Sequence, residues 1–276
     1  MRLDYFLPSA GMQNLLTIHA GVDDVTDACV EVLPAMLPNL HIRVAGRSSL
    51  EFADGSHFDA PPVALIGPTT GAYRVTLSQD CRIAVVGLLP LGWAMLVRVP
   101  AFACADRVLD GADIWGPRAA AEVVERLWAT PFDGSHVGLV EALLNRPAGA
   151  EDHFLRQIAG IDHWLERSAS LSLDALGARV DLGDRQMRRI ALEYYGAPPK
   201  ILAMKYRALR LAAEMCQGGG LGETLQAYAD QSHMIRDFRR FVGWTPAAFQ
   251  RDHNLAAATL SGRRRAGAAR PLVLWS

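Results

Sequence analysis

The strongest constraint on this chain is a repeat at a fixed offset of 47 residues near its carboxyl end. Met187 maps on Met234, Arg189 on Arg236, Gly196 on Gly243 and Pro199 on Pro246. Such self-similarity is the signature of one supersecondary unit used twice. In each copy a helical stretch runs to a glycine, and a proline then opens the next helix.

At about 100° per residue, the faces of the two equivalent helices separate cleanly. In the first, Met187, Ile190, Ala191 and Tyr194 form an apolar stripe, with Arg185 and Arg189 opposite and Arg188 at their flank. In the second, Met234, Phe238 and Phe241 form the stripe. Ser232 and Arg236 point away from it, flanked by Ile235 and Arg239. An outward arginine suits the DNA major groove. Its fork bridges guanine O6 and N7, and each such pair supplies about 1–3 kcal/mol of discrimination. One such helix alone reads better as a solvated charged face; two in register favour DNA.

Charge supports that reading. Residues 1–150 hold 10 arginines against 16 acids, a net of −6, and residues 151–276 hold 18 bases against 13 acids, a net of +5. That polarity is expected when one part of a chain meets phosphate and the other does not. Lys200 and Lys205 are the only lysines, a bias expected of a GC-rich bacterial genome.

The two parts also differ in local pattern. In the first, short β-branched or apolar segments at 41–44, 50–53, 63–66, 72–77, 82–89 and 93–99 alternate with turn residues, predicting a small barrel or sandwich. Helical spacing follows at 119–128 and 137–144, and Pro147-Ala148-Gly149-Ala150 reads as a linker. Beyond it the pattern is all helix, with segments at 153–168, 173–180, 184–195, 201–216, 221–228, 230–242 and 246–252. After His253 the periodicity fades, and Gly262-Arg263-Arg264-Arg265-Ala266-Gly267 predicts a loose basic tail.

On these residues, the stretch from about Leu155 to Arg251 resembles the DNA-binding region of the AraC/XylS family of bacterial transcription regulators. The most specific match is Asp230-Gln231-Ser232-His233-Met234-Ile235-Arg236-Asp237-Phe238-Arg239-Arg240-Phe241 with Gly243-Trp244-Thr245-Pro246. It resembles the family's second recognition helix and signature. The resemblance implies two helix-turn-helix units. Arg185, Gln186, Arg188 and Arg189 would face one major-groove segment, and Gln231, Ser232, Ile235, Arg236 and Arg239 the next, about 34 Å away. The helix at 201–216 would set that distance.

Departures from the family pattern are local. Gly183 stands where a capping serine is usual, Ala191 where a phenylalanine is usual, Gly222, Glu223 and Gln226 where the second supporting helix usually has apolar residues, and Ala227 where its turn glycine is usual. In the first half, Tyr5-Phe6-Leu7-Pro8, Val63-Ala64-Leu65-Ile66-Gly67-Pro68 and the stretch from Asp106 to Gly116 resemble the family's degenerate cupin-like sensor. The expected fold is therefore α+β: a cupin-like β-barrel with helices over 1–148, an all-α double helix-turn-helix unit over 149–254, and a flexible basic tail over 255–276.

The resemblance implies a transcription regulator, with double-stranded DNA, a small-molecule effector, a second copy of the chain and RNA polymerase as partners. Phe52, Phe58, Tyr73, Trp93 and Met95 are the candidate effector contacts, each also explicable as plain core.

No cofactor and no metal are expected. His19, His41 and His57 are isolated, and Cys29, Cys81, Cys104 and Cys216 form no Cys/His cluster. Spread thiols, no membrane-length apolar run and no signal-like start predict a cytoplasmic protein. No enzymatic activity is expected. Ser232 and His233 point about 100° apart, unlike a triad, and Asp230 reads as a helix cap. The rival readings are a cupin-like small-molecule enzyme with an accessory DNA-binding domain, and an interaction protein that sets its basic face on an acidic partner.

Overall fold

A computed structural model describes residues 1–144, 155–167, 172–216, 225, 228, 230–251 and 255–266. The expected linker at 147–150 and most of the second supporting helix at 221–228 lie outside them.

The first half is built on two antiparallel sheets. The larger runs β1 (Arg2–Phe6), β2 (Leu16–Asp23), β9 (Arg82–Leu88), β4 (Asn39–Ala45), β7 (Val63–Ile66), β10 (Val108–Asp110). The smaller runs β3 (Cys29–Leu33), β8 (Tyr73–Leu77), β5 (Ser48–Glu51), β6 (His57–Asp59). The sequence writes this layering directly. β7 is buried at every position, as a strand covered on both faces must be, whereas β8 alternates buried and exposed residues. On one face of the large sheet, Leu40, Ile42, Leu65 and Val86 pack under helices α1 (Pro90–Leu96), α2 (Gly111–Trp115), α3 (Pro117–Trp128) and α4 (Val137–Leu144). On the other, Ala20, Ile83 and Val85 face the small sheet. The strands form two facing sheets whose ladders leave β1 and β3 as edges, not a closed barrel.

Residues 93–99, read as a strand, belong instead to α1 and the turn after it. Pro90 occupies the first helical turn, where its missing N–H costs nothing. Trp93 is buried, and its Nε1 donates to Val99 O at 2.6 Å. A uniformly apolar run carries no period to separate strand from helix.

The second half is helical: α5 (Leu155–Arg167), α6 (Leu173–Val180), α7 (Asp184–Tyr195), α8 (Pro199–Met215), α9 (Gln231–Val242), α10 (Pro246–Arg251) and α11 (Leu255–Ala266). One core joins Ile161, Leu176, Ile190, Leu202, Tyr206, Phe238 and Phe241, and includes Ala35, Leu37 and Leu89 of the first half. The Tyr195 hydroxyl donates to Asp162 Oδ1 at 2.7 Å, tying α7 to α5. Residues 255–266, expected as a loose tail, form α11, which lies against α8, β1 and β3. Alanine-rich sequence with little amphipathic period hides such a helix until its partners are in place.

Candidate nucleic-acid interface

The 47-residue offset holds in three dimensions. Gly196 and Gly243 end α7 and α9 in the left-handed region, at φ +77° and +91°, and Pro199 and Pro246 open α8 and α10. Both caps follow from glycine's freedom at positive φ. At their starts the helices differ. Asp230 caps α9, accepting from His233 N at 2.8 Å and pairing with the same residue's Nδ1, while Gly183 gives α7 no side-chain cap. The hydrogen bonds of Asp230 hold its carboxyl below the usual range, the backbone N–H of His233 first among them.

The faces fall as the periodicity predicts. Met187, Ile190 and Ala191 are buried on α7, as are Met234, Phe238 and Phe241 on α9. Tyr195, rather than Tyr194, completes the inner stripe of α7. Arg185, Gln186, Arg188, Arg189, Gln231, Ser232, Ile235, Arg236 and Arg239 are all exposed. All but Arg239 lie in the first half of their helix; Arg239 lies in the last turn of α9. Asp237 is a surprise: an acid buried on the inner side of α9, its carboxyl pushed up by burial, with the Arg207 guanidinium opposing that shift.

The carboxyl ends of both helices are anchored in the first half. Ala35 N donates to Phe241 O at 2.7 Å, and Ala72 N to Arg240 O at 2.8 Å. Gly196 sits against Pro68 and Ala101, and Gly243 against Val32 and Ala72. Between them, α8 sends Lys205 into the same loops. Its Nζ donates to Met36 O at 2.7 Å and Thr69 O at 2.9 Å. Burial pushes its ammonium down to about 7, with Asp106 opposing. The sequence reading passed over Lys205. The available signal was its place on the apolar stripe of Leu202, Tyr206 and Leu209.

The five candidate effector contacts do not converge. Phe52 stands 5.8 Å, ring to ring, from both Phe58 and Tyr73 between the sheets, whereas Trp93 and Met95 lie on α1 beneath the other face of the large sheet. Of the five, Tyr73 alone lines a cavity of about 70 Å³ between the sheets, which is walled by residues of both and by Thr259 of α11.

Two of the histidines singled out in the sequence are buried. His19 Nε2 meets Glu141 Oε1 at 3.2 Å, and the same oxygen accepts from Ser9 N at 2.9 Å. Burial holds the imidazole well below its usual range, down to about 4, against the pull of Glu141. His41 faces the cavity, and His57 is exposed. Among the described residues, no group of three His, Cys, Asp or Glu side chains could hold a metal, and no helix is long and apolar enough to cross a membrane.

No family model and no curated protein matches the chain. Among solved structures it is similar to ToxT from Vibrio cholerae, at 10% identity, 90% of this chain, 97% of that chain and a TM-score of 0.48. A second structure, ToxT with an unsaturated fatty acid bound, is similar at 9% identity, 90% and 94% coverage and a TM-score of 0.47. CuxR, an AraC-like transcriptional activator, is similar at 15% identity, 82% and 91% coverage and a TM-score of 0.24.

Proposed function

We propose that the chain is a sequence-specific DNA-binding transcription regulator of the AraC/XylS kind, with a sensor in its first half. One observation carries the reading: two helices 47 residues apart bury equivalent apolar faces and expose arginines on their opposite sides. Arg185, Gln186, Arg188 and Arg189 on α7, and Gln231, Ser232, Ile235 and Arg236 on α9, occupy the amino-terminal turns. Those turns of a recognition helix reach base edges. Arg239, in the last turn of α9, is assigned to phosphate, where its charge releases a counterion and adds no base preference.

The test starts from duplexes selected by the full-length protein from a random pool. Arg189→Ala and Arg236→Ala each lose about 1–3 kcal/mol of specific affinity and relax preference at separate positions. Arg239→Ala weakens all duplexes alike and flattens the salt dependence. Unchanged specific affinity in both of the first two variants overturns the reading. Dimerisation and contact with RNA polymerase belong to the same proposal, and sedimentation of the protein with and without operator duplex tests the former.

A further inference from the structure

At the amino end of α9 one carboxylate holds both a backbone amide and an imidazole. Asp230 Oδ1 accepts from His233 N at 2.8 Å, and Oδ2 meets Nδ1 of the same residue's ring at 2.5 Å. Both side chains stand open to solvent, the histidine 59% exposed and the aspartate 49%. The carboxyl is held below its usual range, so it is ionised at neutral pH. An ionised carboxylate only accepts, and Nδ1 is therefore the nitrogen that carries the proton. That fixes the tautomer. A neutral His233 has a lone pair at Nε2, and protonation turns the same nitrogen into a donor. Among the described residues Nε2 has no partner.

The position on the helix says what Nε2 can meet. At about 100° per residue, His233 stands about 60° from Arg236 and about 20° from Arg240, on the flank of the outer face rather than at its centre. Arg236 and Arg240 are exposed. A helix with its side chains is about 10–12 Å across and the major groove about 12 Å wide. A helix that aims Ser232 and Arg236 at base edges therefore sets its flanks against the phosphate walls. The remaining charges near this flank are accounted for. Asp237 is buried and acted on by His233, Arg236 and Arg240 of its own helix and by Arg207 of α8. α10 packs on α9 through Phe249 on Phe238, and Arg251 is its one charged residue.

Against a phosphate, the two states of the pair differ in sign. With His233 neutral, Asp230 presents a bare negative charge and Nε2 a lone pair, and both repel the backbone oxygen. With His233 protonated, the pair is neutral and Nε2–H donates.

We propose that Asp230 and His233 form a proton-dependent phosphate contact of the second recognition helix. His233 takes one proton from water as the complex forms, donates Nε2–H to a phosphate oxygen, and returns the proton on release; Asp230 is the positioning residue that locks the tautomer. This rests on the DNA-binding reading and adds to it a contact that tightens as pH falls.

The test measures binding of the full-length protein to its selected duplex at pH 6 and pH 8, across a series of salt concentrations. The natural chain is expected to bind at least fivefold more tightly at pH 6, with a logarithmic salt slope steeper by about 0.9 there, the mark of one added phosphate contact. His233→Gln loses both differences and matches the natural chain at pH 8 within twofold. His233→Arg, a permanent cation, binds tightly at both values. Asp230→Asn keeps the cap but turns an amide N–H toward Nδ1. The neutral ring then carries its proton on Nε2, and binding is tight at both values without proton uptake. Comparison with the variants cancels the titrations of Lys205 and His19. Base preference in His233→Gln is unchanged, because a phosphate contact carries none. An equal pH difference in the natural chain and His233→Gln overturns the proposal, as does a shifted base preference in that variant. Either result leaves the DNA-binding reading standing, since the duplex is still bound. Failure to bind any duplex at either pH overturns both.

Discussion

Lys205 carries an amine that the fold has largely removed from water. A lysine in an unfolded chain holds its proton to a pH of about 10.4. Burial brings this one down to about 7. Between those values the unfolded chain binds the extra proton, so stability rises as pH rises from about 7 to about 10. Urea unfolding across that interval therefore gives a steeper pH slope for the natural chain than for Lys205→Met. At pH 9 the same variant loses about 1–3 kcal/mol, because the Met36 and Thr69 carbonyls lose their buried donor. His19 acts in the acid range. Its folded pKa near 4 lies below the ordinary imidazole value of 6.5, so stability falls as pH drops through that window. His19→Gln is expected to have a shallower acid slope in the same measurement.

At the scale of elements, the two recognition helices were legible because their signals are local. The apolar stripe, the glycine stop and the proline start all fall within one helix length and repeat 47 residues later. α1 was not legible, since a run of apolar residues gives strand and helix the same pattern. Nor was the cavity, whose walls at Asn39 and Thr259 come together through tertiary packing alone. The anchoring of the helix ends was half legible. Gly243 reads as a cap, but only the structure shows that a Cβ there would stand 2.4 Å from Val32 Cγ1. Gly243→Ala is therefore expected to cost about 2–4 kcal/mol, the positive φ and the clash together. Gly55→Ala, at φ +83° with nothing within 4 Å, is expected to cost about 1–2 kcal/mol from backbone strain alone. Denaturant titration of the pair separates the two terms.

The molecule as a whole is held together at its middle. The backbone N–H groups of Ala35 and Ala72 donate to carbonyls in the last turn of α9, and Lys205 bridges Met36 and Thr69 between them. A shared core of this kind predicts a single unfolding transition, with far-ultraviolet dichroism and tryptophan fluorescence coincident. Lys205→Glu sets a carboxylate against two carbonyl oxygens and is expected to split that transition in two. The same anchors give both arginine-bearing helices a common support.

The meeting of β1 and β3 with α11 also has a cost in time. Some 220 residues separate β3 from the helix that covers it. At ordinary ribosomal speeds that is roughly 10–45 s during which two bare sheet margins wait for their cover. The nascent chain must pass that interval without either margin pairing with a neighbouring chain.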